Sequence, residues 1–323
     1  MHSMNLPDRV GSGSESRFCA GRTGKYLLKG MSRFFICLFR GSRGSNFAGG
    51  RGYIEMGNAV RLTLVSLLWV ACGLGWADLA PPKNGGVYVV AHRGAHIGIP
   101  ENTLAAYAKA IELGCDFVEI DVRTTKDGHF VSVHNSSVDA YTEGVTGKVA
   151  EMTLDEIRAL DVGKKVGPDW AGTRVPTLDE ILALCKGKIG IYLDLKEGDP
   201  VAILAKIREY DMQNDVIWYA SWEEQQIVRA QCAECHIMPD PGPEENLAKL
   251  LETFPGVKVV ASMFKFCSAT FVQTCKDAGA IVIMDESEPS CWEESLSWGL
   301  QGIQTDHPED LIKFLKERAM ASK

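Results

Sequence analysis

Short apolar runs alternate with helix-like patterns from about residue 87 to the end of the chain. The first run, Val87–Ala91, is β-branched and apolar, as is typical of a strand buried on both faces. A turn containing Gly and Pro follows, and Asn102 or Thr103 can cap a helix over Leu104–Leu113, where apolar residues recur at helical spacing. The pattern therefore predicts a strand, a turn and a helix in succession.

The same alternation continues along the chain, with helical stretches such as Thr153–Leu160 and Leu178–Cys185. Alternating strands and helices favour a parallel sheet, and about 250 residues is a common size for a TIM (β/α)8 barrel. Nine strand candidates exceed the eight of a barrel, so at least one is peripheral, and the brief run at His236 is the weakest. The candidates after the first are Phe117–Val122, Phe130–Val133, Ile189–Lys196, Val216–Ala220, His236–Met238, Val257–Ala261, Ile281–Met284 and Gly302–Thr305.

Polar residues lie at or near the carboxyl ends of several of these strands, which is where barrel enzymes place their chemistry. Taken singly, each residue has a structural interpretation, such as a solvated strand face or a surface ion pair. Taken together, they would put many polar groups at buried strand ends without a purpose, so we expect an enzyme. The residues are His92, Glu119, Asp121, His134, Asp194, Lys196 and Asp306.

The three carboxylates of Glu119, Asp121 and Asp194 would repel one another unless a cation lay among them. Ligands that are all oxygens favour a hard divalent ion, Ca²⁺ or Mg²⁺, over zinc. Near such an ion, Arg93 and Lys196 could neutralise a phosphate group. His92 and His134 could then serve as a general acid and base pair.

Charge divides the chain, because residues 1–77 carry 10 Lys and Arg against 3 Asp and Glu, whereas residues 78–323 carry 24 against 39. We interpret residues 1–55 as disordered or as a mis-called extension upstream of Met56. Residues 56–77 have the pattern of a secretory signal peptide, which predicts an exported protein, periplasmic or extracellular. An uncleaved anchor and a lipoprotein modified at Cys72 are the alternatives. The acidic remainder, residues 78–323, disfavours nucleic acid and anionic membranes as partners, and no stable membrane insertion is expected after cleavage.

Seven cysteines follow the leader, and this odd number excludes a complete disulfide framework. Cys232 and Cys235 lie in a CxxCH pattern that ends at His236. Free thiols are the simplest interpretation of this pair, with a disulfide and the covalent attachment of a c-type haem as alternatives.

A series of motifs resembles the glycerophosphodiester phosphodiesterase family, in its order and spacing, over about Val87 to Leu315. The resemblance implies a TIM barrel with an inserted segment after the third strand, where residues 135–176 lie. It also implies hydrolysis of a glycerophosphodiester to glycerol 3-phosphate and an alcohol. The motifs are His92-Arg93-Gly94, Pro100-Glu101-Asn102-Thr103, Glu119-Ile120-Asp121, Asp127-Gly128, His134, Asp194-Leu195-Lys196 and Thr305-Asp306-x-Pro308.

The resemblance also implies roles for individual residues: a divalent metal on Glu119, Asp121 and Asp194, acid and base roles for His92 and His134, and phosphate contacts from Arg93 and Lys196. Three positions depart from the family pattern and bear on the substrate more than on the reaction. Asp194 stands where Glu is usual, Asn135 follows His134 where Asp is usual, and Asp285-Glu286 replaces a Trp-Thr pair.

Two other functions compete with this prediction. One is a non-catalytic exported barrel that binds phosphorylated ligands, which the changes at Asn135 and Asp285 favour and the retained histidines and acids oppose. The other is a related phosphodiesterase that acts on phospholipids, which the acidic charge of the chain disfavours.

Overall fold

The structure is a computed structural model that describes residues 79–285 and 287–321. The predicted extension 1–55, the predicted signal peptide 56–77 and Cys72 lie outside these residues. None of the helices within them combines the length and apolar character needed to cross a membrane. The strands are β1 (Tyr88–Ala91), β2 (Phe117–Thr124), β3 (Phe130–Ser132), β4 (Gly190–Leu195), β5 (Val216–Tyr219), β6 (His236–Ile237), β7 (Val259–Met263), β8 (Ile281–Asp285) and β9 (Gly302–Thr305).

Helices follow most of the strands, and they pack on the outside of the sheet. They are α1 (Leu104–Leu113), α2 (Leu154–Ala159), α3 (Leu178–Cys185), α4 (Pro200–Glu209), α5 (Trp222–Gln231), α6 (Leu247–Thr253), α7 (Ala269–Asp277), α8 (Trp292–Ser297) and α9 (Pro308–Ala321). Of the two residues that could cap α1, Thr103 is the one that does, because its side chain accepts a hydrogen bond from the Ala106 backbone N–H.

Eight strands form a parallel sheet in the order β6-β5-β4-β2-β1-β9-β8-β7. The two ends of this order meet where the Ala261 N–H, in β7, donates to the carbonyl of Pro239 just after β6, at 3.1 Å. The sheet is therefore a nearly closed barrel, and the predicted TIM fold is confirmed.

The ninth strand is β3, which pairs antiparallel with β2 and not within the barrel. Its turn at Asp127-Gly128 is too short for a crossover connection, so the two strands form a hairpin. The prediction that the run at His236 is the weakest candidate is wrong, because β6 pairs with β5 through His236 and Ile237. The inserted segment follows the third strand of the sequence, as expected. Because β3 is not a barrel strand, the segment lies between the second and third parallel strands of the barrel, β2 and β4.

The barrel interior is filled with side chains, including Tyr88, Phe117, Tyr192 and Ile283. A larger apolar layer lies between the strands and the helices, and a separate cluster around Val131, Val149 and Ile157 packs under the inserted segment. Because the interior is solid, a ligand can reach polar groups only at the ends of the strands.

Cys232 and Cys235, after α5, form a disulfide. Free thiols, the simplest interpretation from sequence, are therefore wrong for this pair. A haem thioether is excluded for the same reason, since both sulfurs are already bonded to each other. The free cysteines of the described residues are Cys115, Cys185, Cys267, Cys275 and Cys291.

Candidate active site

Three carboxylates meet at the carboxyl end of β2 and β4. Glu119 and Asp121 are two residues apart in β2, so they share a face, and the register of the two strands places Asp194 beside Asp121. One carboxylate oxygen from each of the three lies within 4.8 Å of the others, and the side chains of Glu119 and Asp121 are buried. The predicted acidic group is therefore assembled by the fold.

Burial raises the pKa of Glu119 well above its ordinary value, and the neighbouring Asp121 and Asp194 raise it further. Burial likewise raises the pKa of Asp194, although Lys196 opposes this. The Lys196 ammonium donates to Asp194 at 2.6 Å and lies 3.3 Å from Asp121 Oδ1. One lysine balances only part of the charge of three carboxylates.

Asp121 Oδ1 is buried and accepts no hydrogen bond from the described residues. A buried carboxylate oxygen without a hydrogen bond is costly, and its cost falls when a cation lies beside it. Three converging carboxylates with one such oxygen fit a divalent cation that prefers oxygen ligands. Glu119, Asp121 and Asp194 are the residues that could hold it.

Arg93 lies against this group through both its backbone and its side chain. Its backbone N–H donates to Glu119 at 2.6 Å, its Nη1 contacts Glu101 at 3.2 Å, and its Nε lies 3.8 Å from Asp121 Oδ2. Burial lowers the pKa of Arg93, but Glu101, Asp121 and Glu119 outweigh this effect, so the guanidinium stays charged. Nε is buried and donates no hydrogen bond to the described residues, so a donor remains for an anionic ligand beside the carboxylates.

Asn102 holds Asp121 in place, a role that the sequence analysis missed. Its Nδ2 donates to Asp121 Oδ2 at 2.7 Å, and its Oδ1 accepts from the hydroxyls of Tyr107 at 2.9 Å and Ser132 at 2.8 Å. The backbone of Asn102 is left-handed, with φ of 54°, a conformation that Asn tolerates better than most residues. The sequence offered Asn102 as an alternative helix cap and as part of the Pro100-Glu101-Asn102-Thr103 motif, with no role assigned to its side chain.

His92 follows β1 and contacts Asp306, which follows β9. The two strands pair along their length, and the His92 N–H donates to the Thr305 carbonyl at 3.1 Å, so this contact is built on the barrel ladder. His92 Nδ1 lies 2.7 Å from Asp306 Oδ1, and His96 Nε2 lies 3.0 Å from the same oxygen. If Nδ1 keeps its proton and donates it in a hydrogen bond to the Asp306 carboxylate, the Nε2 atom of neutral His92 is free to accept a proton. His96 was not among the predicted residues, and no sequence pattern pointed to it.

His134 lies just after β3, at the start of the inserted segment. Its Nδ1 contacts the Asn135 side-chain oxygen at 2.9 Å, and Arg123 Nη2 donates to its backbone carbonyl at 2.7 Å. His134 also lies near enough to Asp194 to oppose, together with Lys196, the rise in the pKa of that carboxyl group that burial causes. The structure thus holds the two histidines on different elements, one backed by a carboxylate and the other by a neutral amide.

The other two departures from the family pattern have visible consequences. Asp194, although shorter than Glu, still reaches the acidic group. Asp285 is buried at the end of β8, where it accepts a hydrogen bond from the Tyr192 hydroxyl at 2.8 Å. Glu286 lies outside the described residues.

A cavity of about 550 Å³ opens next to Asp194. Its walls include Tyr219, Trp222, Asp240 and Lys249. The Asp240 carboxylate accepts from the Tyr219 hydroxyl at 3.2 Å and from the Gly242 N–H at 2.6 Å, so the polar wall is well ordered. The acidic group therefore borders, through Asp194, a space large enough for a small molecule.

The model of the glycerophosphoryl diester phosphodiesterase family matches residues 92–310, which is more than half of the chain. The chain belongs to this family. The resemblance noted in the sequence is confirmed, and with it the assignment of a phosphoric diester hydrolase. The match begins at His92 and includes every residue of the acidic group.

Three known proteins resemble this chain over most of their own length. A glycerophosphodiester phosphodiesterase of Caldanaerobacter subterraneus subsp. tengcongensis is 32% identical over 248 residues, which are 71% of this chain and 98% of that protein. The crystal structure of a glycerophosphodiester phosphodiesterase from Agrobacterium tumefaciens is 27% identical, with a TM-score of 0.63 and coverage of 70% of this chain and 99% of that one. An Oleispira antarctica phosphodiesterase solved with the product sn-glycerol-3-phosphate shares the fold, at 24% identity and a TM-score of 0.65, over 71% of this chain and 96% of that one.

Proposed function

We propose that this chain hydrolyses soluble glycerophosphodiesters to glycerol 3-phosphate and an alcohol, in a reaction that depends on a divalent cation and two histidines. The observation that carries the proposal is that two buried atoms at the acidic group make no hydrogen bond to the described residues: Asp121 Oδ1, which has the Lys196 ammonium 3.3 Å away, and Arg93 Nε. The first suits a cation and the second suits a phosphate oxygen. Together these atoms would suit a divalent cation and the phosphate group of a diester.

Glu119, Asp121 and Asp194 would hold the cation, and their oxygen ligands favour Ca²⁺ or Mg²⁺. When bound, such an ion polarises a phosphoryl oxygen and neutralises charge that develops on it. The prediction of these three ligands rests on their shared position in the fold and on the charge that Lys196 leaves unbalanced.

Arg93 and Lys196 would contact the phosphate. A phosphodiester carries one negative charge, and a guanidinium held beside the acidic group can orient it through two parallel hydrogen bonds. Lys196 donates to Asp194 at 2.6 Å, and that short contact keeps its ammonium at the same end of the strands.

His92 and His134 would move the protons. Hydrolysis requires a proton to leave the attacking oxygen and another to reach the departing alcohol, and an imidazole can do either near neutral pH. Asp306 acts as a positioning residue for His92, because it fixes the proton on Nδ1. Asn135 occupies the corresponding place beside His134 without adding a charge.

The cavity beside Asp194 has room for the alcohol portion of the substrate. We further propose that the substrates are soluble and that the protein is exported, as the leader pattern and the acidic charge of residues 78–323 suggest. The same charge argues against a nucleic-acid substrate.

The test is to follow the products of a panel of diesters by ³¹P NMR: glycerophosphodiesters with choline, ethanolamine and glycerol head groups, a lysophospholipid and a dinucleotide. We expect glycerol 3-phosphate from the glycerophosphodiesters in the presence of Ca²⁺ or Mg²⁺, and no such product with EDTA. If the lysophospholipid alone reacts, the substrate assignment is wrong. If no diester reacts while the protein still binds Ca²⁺, a binding protein becomes the better conclusion.

A further inference from the structure

A second group of metal-ligating atoms lies at the same end of the barrel and is chemically unlike the three carboxylates. It consists of His92 Nδ1, His96 Nε2 and a carboxylate oxygen of Asp306, all within 4.8 Å of one another. Both imidazoles approach the same oxygen, at 2.7 Å and 3.0 Å. We call these three residues the histidine cluster.

We propose that the histidine cluster is a second cation site, which takes a transition metal of the Zn²⁺ class. Two imidazole nitrogens and one carboxylate oxygen are the donors that Zn²⁺ and Co²⁺ accept readily, whereas Ca²⁺ and Mg²⁺ prefer oxygen alone. The proposed phosphodiesterase reaction uses the carboxylates of Glu119, Asp121 and Asp194 for its cation, so the two sites differ in both residues and metal preference.

The distances in the histidine cluster suit such an ion. Tetrahedral bonds of about 2.0 to 2.1 Å place neighbouring ligand atoms about 3.3 Å apart. The His92 and His96 contacts to Asp306 would therefore lengthen by about 0.6 and 0.3 Å, and the two imidazole nitrogens, now within 4.8 Å of each other, would come to the same separation. The side chains of His92 and His96 are 12% and 18% exposed, while that of Asp306 is 40% exposed. The imidazoles are thus held by the protein, and the carboxylate leaves a path for an ion from solvent.

The cluster is also preorganised by the backbone. His92 and Asp306 follow paired strands, with Ala91 in register with Thr305. The turn that carries His96 is closed by the Ile99 N–H, which donates to the His96 carbonyl at 3.0 Å. Binding an ion would therefore require little ordering of the chain.

Metal binding would change which ring nitrogen of His92 carries the proton. An ionised carboxylate can only accept, so the contact with Asp306 assigns the proton of neutral His92 to Nδ1 and the free electron pair to Nε2. Coordination needs the electron pair on Nδ1, so the proton moves to Nε2, and the neutral ring neither gains nor loses a proton overall. The same shift on His96 moves its proton from Nε2 to Nδ1. His92 would then keep Nε2 protonated and would no longer exchange a proton there.

The consequence, which rests on the proposed role of His92, is that Zn²⁺ inhibits the enzyme while Ca²⁺ or Mg²⁺ activates it. Inhibition would come from loss of proton transfer and not from displacement of the activating ion. Excess Ca²⁺ should therefore fail to relieve it. An ion that merely competed for the carboxylates would be displaced by excess Ca²⁺.

The binding test uses Co²⁺ as the probe, added to the full-length protein without a histidine tag and in excess Ca²⁺, with the visible absorption of Co²⁺ as readout. We expect one equivalent of Co²⁺ to give a spectrum with nitrogen ligation, which Zn²⁺ then abolishes. His96→Ala should weaken this binding at least about tenfold, because losing even a residue that only hydrogen-bonds to a metal ligand lowers the affinity for the metal about 10- to 100-fold. Glu119→Gln should retain the spectrum, and so should His129→Ala, which changes an exposed histidine outside the cluster.

The binding readout needs no turnover, so its result is independent of whether the chain is a phosphodiesterase. Co²⁺ that is displaced by Ca²⁺, or binding that is the same in wild type and His96→Ala, would overturn the proposal. If the spectrum behaves as expected, inhibition by Zn²⁺ in excess Ca²⁺ should be at least tenfold weaker for His96→Ala than for His129→Ala. If Co²⁺ binds as predicted but Zn²⁺ inhibits His96→Ala and His129→Ala equally, the proposed inhibition through this site is overturned, although the metal site itself is supported.

Discussion

Asn102 offers a sharp test of how the acidic group is supported, because two separate effects depend on it. Asn102→Ala removes the hydrogen bond to the charged Asp121, which is worth about 1.5 to 3 kcal/mol in a buried site. It also places Ala at a φ of 54°, which costs about 1 to 2 kcal/mol. Tyr107 and Ser132 can still bond to each other, since their oxygens are 2.7 Å apart. The free energy of unfolding should therefore fall by about 2.5 to 5 kcal/mol, and Tm by about 5 to 20 °C.

Asn102→Gly separates the two effects, because it loses the hydrogen bond but accepts the left-handed backbone. Glycine costs about 0.5 to 1 kcal/mol in chain entropy, so Asn102→Gly should still be more stable than Asn102→Ala by about 0.5 to 1 kcal/mol. Asn246→Ala is the matched control, since that amide donates to a neutral carbonyl at 3.0 Å and its φ is −86°.

Urea unfolding with and without Ca²⁺ measures these differences, and the affinity for Ca²⁺ should also fall about 10- to 100-fold in both Asn102 variants. An alanine variant as stable as the glycine variant would refute the backbone argument. A loss no larger than that of Asn246→Ala would refute the argument that Asn102 supports Asp121.

Three further predictions concern the loop after β1 and its partner Asp306. Gly94→Ala should destabilise the fold far more than Gly98→Ala in urea unfolding, although both glycines have positive φ. A Cβ added at Gly94 would lie 2.6 Å from the Cβ of Ala106, whereas a Cβ added at Gly98 would have no atom within 4 Å. Arg93→Lys should lower kcat/KM about 10- to 100-fold, since a lysine keeps the charge but loses the planar pair of donors; unchanged kinetics would remove Arg93 from the phosphate site. Hydrogen bonds from His92 and His96 lower the pKa of Asp306. The ionised Asp306 therefore contributes to the free energy of unfolding above about pH 4, and this contribution is lost as the pH falls. Asp306→Asn should show a shallower loss of stability below about pH 4 in metal-free buffer.

Much of the site could be predicted because its chemistry is local in sequence. Glu119 and Asp121 share a face through the two-residue period of a strand, and the position of Asp194 at the end of another strand follows from the parallel order. The helix cap at Thr103 and the bounds of α1 follow from local propensity in the same way.

The rest depends on contacts that only the closed barrel creates. His96 and Asp306 are 210 residues apart, and nothing in the local pattern brings them together. The peripheral strand β3 resembles a barrel strand in composition, and only its short turn distinguishes it from the brief β6. Asn102 looked like a helix cap because Asn serves both as a cap and in left-handed turns.

The central claim is that one acidic group and two histidines carry out phosphodiester hydrolysis. The most direct measurement is the rate of glycerol 3-phosphate release by the wild-type protein, His92→Ala, His134→Ala and Glu119→Gln, in Ca²⁺, in Mg²⁺ and in EDTA. We predict turnover by the wild type with a divalent ion only, loss of at least about 100-fold in each histidine variant, and a higher Ca²⁺ requirement in Glu119→Gln. Full activity in EDTA, or in either histidine variant, would contradict the account.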